Sequence, residues 1–230
     1  MHIPDGFINA GTSLGAGAVS AGGLAVCVRR SRETLAEKHV PLAGLTAALI
    51  FAVQMLNFPV AGGTSGHLLG GVLASVLVGP WVGALCVAVV LVVQALFADG
   101  GLTALGLNIL NMAIVGALGG YALFAALRRI LPRSRGGVLV ATAVTAWLSV
   151  VLASIAFSIE YAIGGAGGVD PSTVLGAMVG VHAIIGIGEA VITTLTVGAV
   201  LAGRPDLGYG ASDLLPPLEL RTISVAEGVS

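Results

Sequence analysis

The chain has 230 residues, 57% of them hydrophobic and only 9% charged, with 35 glycines and a formal net charge of −1. A soluble domain carries about a quarter of its residues as charges, so a chain with mean hydropathy +1.04 lacks the surface that keeps a protein dispersed in water. These figures exclude a soluble enzyme, a disordered regulator and a nucleic-acid binder, which needs a basic face; they define an all-α integral membrane protein in a lipid bilayer.

A membrane helix needs ~20 mostly apolar residues. The first such run covers 8–28, and the cations Arg29 and Arg30 follow it rather than precede it, the reverse of a secretory signal. The start of the chain is therefore expected to be the mature terminus, exported with its first helix. A polar linker from Arg29 to His39 leads to a run over 41–57 with Pro41 in its first turn. Residues 58–67 are full of helix breakers. As one helix, 68–98 would be ~46 Å long against a hydrocarbon layer of ~30 Å. Gly79-Pro80 divides that stretch into a short helix over 67–79 and a second over 81–98. Asp99-Gly100-Gly101 makes the next turn, and further runs cover 102–127, 137–159 and 173–203.

The predicted organisation is a seven-helix membrane domain over 1–203 and a polar tail over 204–230. With the N-terminus outside, all ten basic residues (Arg29, Arg30, Arg32, Lys38, Arg128, Arg129, Arg133, Arg135, Arg204 and Arg221) fall on the cytoplasmic side. The external segments then carry Asp5, Asp99, Glu160 and Asp170, and the C-terminus is cytoplasmic. In the first run Gly11, Gly15, Ala18, Gly22 and Ala25 form a smooth stripe, which suits either packing within the bundle or docking of a separate membrane subunit. Cys27 and Cys86 lie in separate apolar runs and read as free thiols, not a metal pair or a disulfide.

Ionisable residues at membrane depth need a reason to be there. The opening Met1-His2-Ile3-Pro4-Asp5-Gly6-Phe7 offers a free amine, the amide nitrogen of residue 2 and its imidazole, which can close fused chelate rings around a divalent cation. Planar nitrogen coordination favours Ni(II) or Cu(II). The competing reading is an ordinary solvated terminus. His67 follows Gly62, Gly63 and Gly66 and is expected to open the short helix, where the N-terminal dipole keeps an imidazole neutral and free to bind metal. Its alternative is a capping histidine bonded to a backbone carbonyl. His182 and Glu189, seven apart, share one face of the last helix and read either as a structural polar pair or as groups supporting a metal site. Asn108, Asn111, Gln54 and Gln94 are expected to form interhelical hydrogen bonds, and Ser65, Asn108 and Asn111 join His182 and Glu189 as candidates for supporting the metal site or coupling it to transport.

The segment 1–7, the stretch Asn57-Phe58-Pro59-Val60-Ala61-Gly62-Gly63-Thr64-Ser65-Gly66-His67-Leu68, and Asp99-Gly100-Gly101 with Asn108-Ile109-Leu110-Asn111-Met112 resemble the CbiM/NikM family over residues 1 to about 210. These are substrate-capture subunits of energy-coupling-factor transporters for cobalt and nickel in bacterial and archaeal cell membranes. The resemblance implies seven helices with the terminus tucked into the bundle. It implies a nickel or cobalt ion, as bound substrate, held by the Met1 amine, the amide and imidazole of His2, and His67. It also implies a transmembrane coupling subunit, a pair of cytoplasmic ATPases and, in some systems, a small accessory membrane protein as partners. No GxxxxGK[ST] signature occurs, so ATP hydrolysis is expected of other chains, and no apolar span follows Arg204 that could be a fused accessory component.

Two other classes compete. Gly63-Thr64-Ser65-Gly66 fits the GxSG pattern of rhomboid-like intramembrane proteases, with Ser65 as nucleophile and His182 as base, provided the two are within hydrogen-bond reach. A stand-alone metal channel or carrier would use the same broken helices.

Overall fold

A computed structural model describes residues 1–35, 37–60, 65–97 and 99–215. Gly62, Gly63 and Thr64 of the glycine-rich loop, and Arg221 in the tail, lie outside the described residues. The described residues form seven α-helices: α1 Ala10–Thr34, α2 Val40–Gln54, α3 Gly71–Val78, α4 Pro80–Leu96, α5 Leu105–Arg128, α6 Arg135–Gly164 and α7 Pro171–Gly203. A two-stranded antiparallel ribbon, β1 Phe58–Pro59 paired with β2 Ser65–Gly66, precedes α3. Four helices, α1, α5, α6 and α7, are long and apolar enough to cross a membrane, and α2 and α4 are shorter apolar helices.

Local chemistry sets the helix ends. Asn9 caps α1, accepting from the Thr12 N–H at 2.9 Å, so the helix starts at Ala10 rather than residue 8. It runs on to Thr34 because Arg29, Arg30 and Arg32 can reach water from its last turns; Arg30 pairs with Glu33 at 3.3 Å. Ser134 caps α6 through the Gly137 N–H, and Asp170 caps α7 through the Ser172 N–H, each followed by a well-formed first turn. Glu160, expected in an external segment, instead lies inside α6 and is buried, because Asn111 Nδ2 donates to its Oε2 at 2.7 Å and compensates the buried carboxyl.

The short helix also differs from expectation. It begins at Gly71, not His67, because Gly70 sits at φ 72° in the left-handed region and so cannot continue a helix; the Leu69 and Gly70 N–H groups ahead of it are taken by the Glu189 carboxylate of α7. His67 therefore lies in the connection between β2 and α3, outside any helix.

Every residue of α3 is buried, and α2, α4, α5, α6 and α7 pack around it. Gly79, at φ 90°, turns the chain from α3 into α4, whose first residue is Pro80. The middle of α5, Leu110–Gly119, winds as a π-helix, which begins between Asn108 and Asn111 and lets them serve different partners. α1 is peripheral. It meets the bundle through Ala16, Ser20, Cys27 and Ser31, while Gly11, Gly15, Ala18, Gly22 and Ala25 are all exposed. Cys27 and Cys86 are buried free thiols. Beyond α7, the turns Pro205–Leu207 and Tyr209–Leu214 fold back: Asp213 accepts from Arg128 at 2.9 Å and Ala211 is buried.

Candidate metal centre

The start of the chain enters the bundle instead of remaining in solvent: Met1, His2, Ile3 and Ile8 are buried, while Asp5, Gly6 and Asn9 stay exposed. Met1 is 1%, His2 5% and Ile3 0% exposed. Buried backbone must find hydrogen-bond partners, and α5 with its preceding turn supplies them. The Ile3 N–H donates to Asn108 Oδ1 at 2.8 Å, and the Ile3 carbonyl accepts from Asn108 Nδ2 and from the Gly101 N–H. Further along, Asp5 accepts from the Thr103 N–H and hydroxyl, which holds its carboxyl below the usual range. Phe7 stacks on Phe157 and Tyr161, and Ile8 bridges to Gly165 at the end of α6. The turn before α5 must be glycine: a Cβ on Gly101 would lie 2.4 Å from the Asp5 nitrogen, and one on Gly100 3.2 Å from the His2 ring.

This clamp lays His2 on His67, with ring centroids 4.3 Å apart and planes inclined by 28°. His2 Nε2 lies 3.1 Å from Gln94 Oε1 of α4, and Nδ1 lies 3.2 Å from Asp99 Oδ1, an electrostatic contact rather than an aligned hydrogen bond. His67 Nδ1 faces the Leu68 carbonyl at 2.7 Å. A carbonyl only accepts, so the ring hydrogen sits on Nδ1 and the Nε2 lone pair is free; Nε2 is buried without a partner among the described residues. The capping reading of His67 is thus realised at one nitrogen and leaves the other available.

Burial lowers the Met1 amine well below its ordinary pKa, with the nearby Asp99 charge pulling the other way. Burial also lowers His2, while His2 in turn holds the Asp99 carboxyl below the usual range. Both shifts favour the neutral, electron-pair-donating form of the amine and of the imidazole. Among the described residues no group of three His, Cys, Asp or Glu side chains converges as a metal cluster. A cation in this pocket would have to use backbone and terminal nitrogens as well as imidazoles.

Glu189 supports the loop that carries His67. Its two carboxylate oxygens accept from the Leu69 and Gly70 N–H groups at 2.8 and 2.7 Å, and Gln54 Nε2 donates to the Leu69 carbonyl at 2.6 Å. His182 and Glu189 are both buried but do separate work; they do not bond to each other, and His182 Nδ1 faces the Met178 carbonyl at 2.8 Å. Its Nε2 has no partner among the described residues, so the Ser65–His182 dyad that a protease needs is not formed. Asn111 turns away from the terminus to Glu160. Asp99 and Gln94 as partners of His2 escaped sequence reasoning, which read them as a turn residue and an interhelical donor; the only sequence signal was the adjacency of Asp99 to Gly100-Gly101.

Fold and site together define a helical bundle, membrane-like in composition, that encloses its own amino terminus with His2 stacked on His67. Residues 2–207 match the family described as CbiM, cobalt uptake substrate-specific transmembrane region, and the chain belongs to that family. It is 42% identical over 208 residues to a chain of Archaeoglobus fulgidus provisionally named a fused nickel transport protein, NikMN, matching 90% of this chain and 68% of that one. It is 32% identical over 213 residues to the cobalt transport protein CbiM of Sorangium cellulosum, matching 90% of this chain and 94% of that one. Among solved structures, a crystal structure described as a truncated transition metal transporter superimposes with a TM-score of 0.82 at 29% identity, covering 88% of this chain and 99% of that one.

Proposed function

We propose that this chain captures Ni(II) or Co(II) from outside the cell and hands it across the membrane, as the substrate-specificity subunit of an energy-coupling-factor transporter. In this reading seven helices span the bilayer with the N-terminus outside and the C-terminus cytoplasmic. ATP is hydrolysed by two partner ATPases that act through a transmembrane coupling subunit, with or without a small accessory membrane protein. The observation that carries it is the burial of Met1 and His2 against His67, whose Nε2 has no protein partner among the described residues. The donors would be the Met1 amine, the amide nitrogen and Nδ1 of His2, and His67 Nε2. Four nitrogen donors of this kind suit a divalent late transition metal, with square-planar preference favouring Ni(II).

Metal binding displaces the proton of the His2 amide and any proton on the amine, so affinity must fall with pH. Burial of the amine, which lowers its pKa, moves the loss to lower pH than a solvated terminus would show. Titration of the purified chain with Ni(II) and with Co(II) is expected to show one tight site whose affinity falls steeply between about pH 8 and about pH 5. No binding, or an affinity flat across that range, overturns the reading.

The exposed stripe on α1 is the candidate contact for the coupling subunit, since small residues let helices approach closely. A Cβ on Gly15 meets nothing within 4 Å in the isolated chain, so larger side chains fit there until a partner arrives. The double variant Gly15→Leu, Ala18→Leu is expected to bind Ni(II) as the unmutated chain does and to fail in co-purification with the coupling subunit. Retained assembly would place that contact elsewhere.

A further inference from the structure

The capture site accounts for Met1, His2 and His67 but leaves a third imidazole unexplained. His182 is 0% exposed in the middle of α7. Its Nδ1 faces the Met178 carbonyl at 2.8 Å and so carries the hydrogen, while Nε2 holds a lone pair with no donor to meet it among the described residues. A buried acceptor left open calls for an explanation, such as an ordered water, an ion or a functional role. His67 has the same arrangement, with Nδ1 on a carbonyl and Nε2 buried and open.

The two rings belong to one locality. A Cβ placed on Gly66 would lie 3.4 Å from His182 Cε1, the ring carbon bonded to Nε2, and 2.6 Å from Ile185 Cδ1. Glycine at position 66 therefore lets the edge of the His182 ring rest against the backbone that immediately precedes His67. The His182 ring thus meets the Met178 carbonyl on one side and the Gly66 backbone on another; Glu189, two turns along α7, is fully engaged by Leu69 and Gly70.

Resting on the capture reading, we propose that His182 Nε2 is the entering ligand for release. The ion leaves the amine–amide–imidazole chelate by passing to a second position between His67 and His182. A planar four-coordinate ion has open faces above and below its ligands, and exchange of its ligands is fastest when a fifth donor is already at hand. No bond to carbon is made or broken: His182 donates an electron pair to the metal as the His2 amide nitrogen withdraws its own and takes back a proton from water, which departs as hydroxide. His67 stays bound throughout and serves as the pivot.

The test is ligand-exchange kinetics on the full chain loaded with Ni(II) and mixed with excess EDTA. His182→Gln is expected to keep one Ni(II) per chain with little change in affinity, yet to release it about tenfold more slowly, which corresponds to ~1.4 kcal/mol on the barrier. A merely structural role predicts the opposite sign, since a loosened site lets metal go sooner. Release from His182→Gln as fast as from the unmutated chain, or faster, overturns the proposal. A second measurement leaves His182 in place: in His2→Ala the planar chelate is broken, and pulsed electron paramagnetic resonance of bound Cu(II) should count two coordinated imidazoles, His67 and His182. A single imidazole, or no bound Cu(II), overturns it. If the unmutated chain binds no Ni(II), the capture reading falls and this one falls with it; if it binds tightly and only these results fail, the second position alone is wrong.

Discussion

Extending the chain by two alanines ahead of Met1 is expected to abolish tight Ni(II) binding while leaving every native side chain in place. Met1 is 1% exposed, and the Ile3 backbone just behind it is fixed by Asn108 and Gly101, so the added residues have no room and the terminus must withdraw or lose its register. Two residues are needed rather than one. A single added alanine would make histidine the third residue, where an amine, two amides and an imidazole form a planar chelate without help from the fold. Four-ligand sites in small zinc peptides are worth about 10–16 kcal/mol, or ~3–4 per ligand, which is ~10²–10³-fold per donor. The extension displaces three of the proposed donors and is expected to weaken Ni(II) by more than ~10³-fold, whereas His67→Ala, removing one, should cost ~10²–10³-fold. Equilibrium competition against a chelator measures both. An extended chain that binds Ni(II) as tightly as the native one would remove the terminus from the ligand set.

Much of this architecture is legible in the chain because membrane helices are written locally. Apolar runs, the Gly79-Pro80 break and the caps Asn9, Ser134 and Asp170 each act within a few residues of their own position. The pairing of His2 with His67 was legible for a different reason: a family resemblance joined two segments that no periodicity connects. What escaped are contacts between distant segments. Gln94 reaches back to His2, Glu189 to Leu69 and Gly70, and Asn111 across to Glu160. A carboxylate such as Glu160 reads as the end of a span when only its charge is counted. One amide placed by a neighbouring helix is enough to keep it inside, and sequence spacing carries no trace of that amide. The start of α3 differs for a local reason: Gly70 adopts a left-handed conformation that the apolar run around it does not announce.

The contact of Glu189 with Leu69 and Gly70 carries the second large prediction. Glu189 joins the loop bearing His67 to α7 through two oxygens that accept from successive backbone N–H groups, at 2.8 and 2.7 Å, and the site is 2% exposed. Glu189→Gln preserves shape but not chemistry: one oxygen can still accept, while the new NH2 faces an N–H, donor against donor, with no water to relieve it. Losing one charged hydrogen bond and leaving a buried donor unmet costs on the order of 2–5 kcal/mol. At ~2–4 °C per kcal/mol for a chain of this size, the thermal midpoint of the metal-free protein should fall by roughly 5–15 °C. Because the displaced groups follow His67 within three residues, the imidazole loses its fixed position as well. Ni(II) affinity should fall by about 10–100-fold, the range typical when a group orienting a metal ligand is removed. Glu189→Leu removes both acceptors and should be worse on both counts. The two readouts separate the roles of the carboxylate: a lowered midpoint with unchanged Ni(II) affinity would mean that Glu189 only secures α3 to α7. A joint loss means that the rigidity of the capture site is borrowed from α7, the helix that also carries His182.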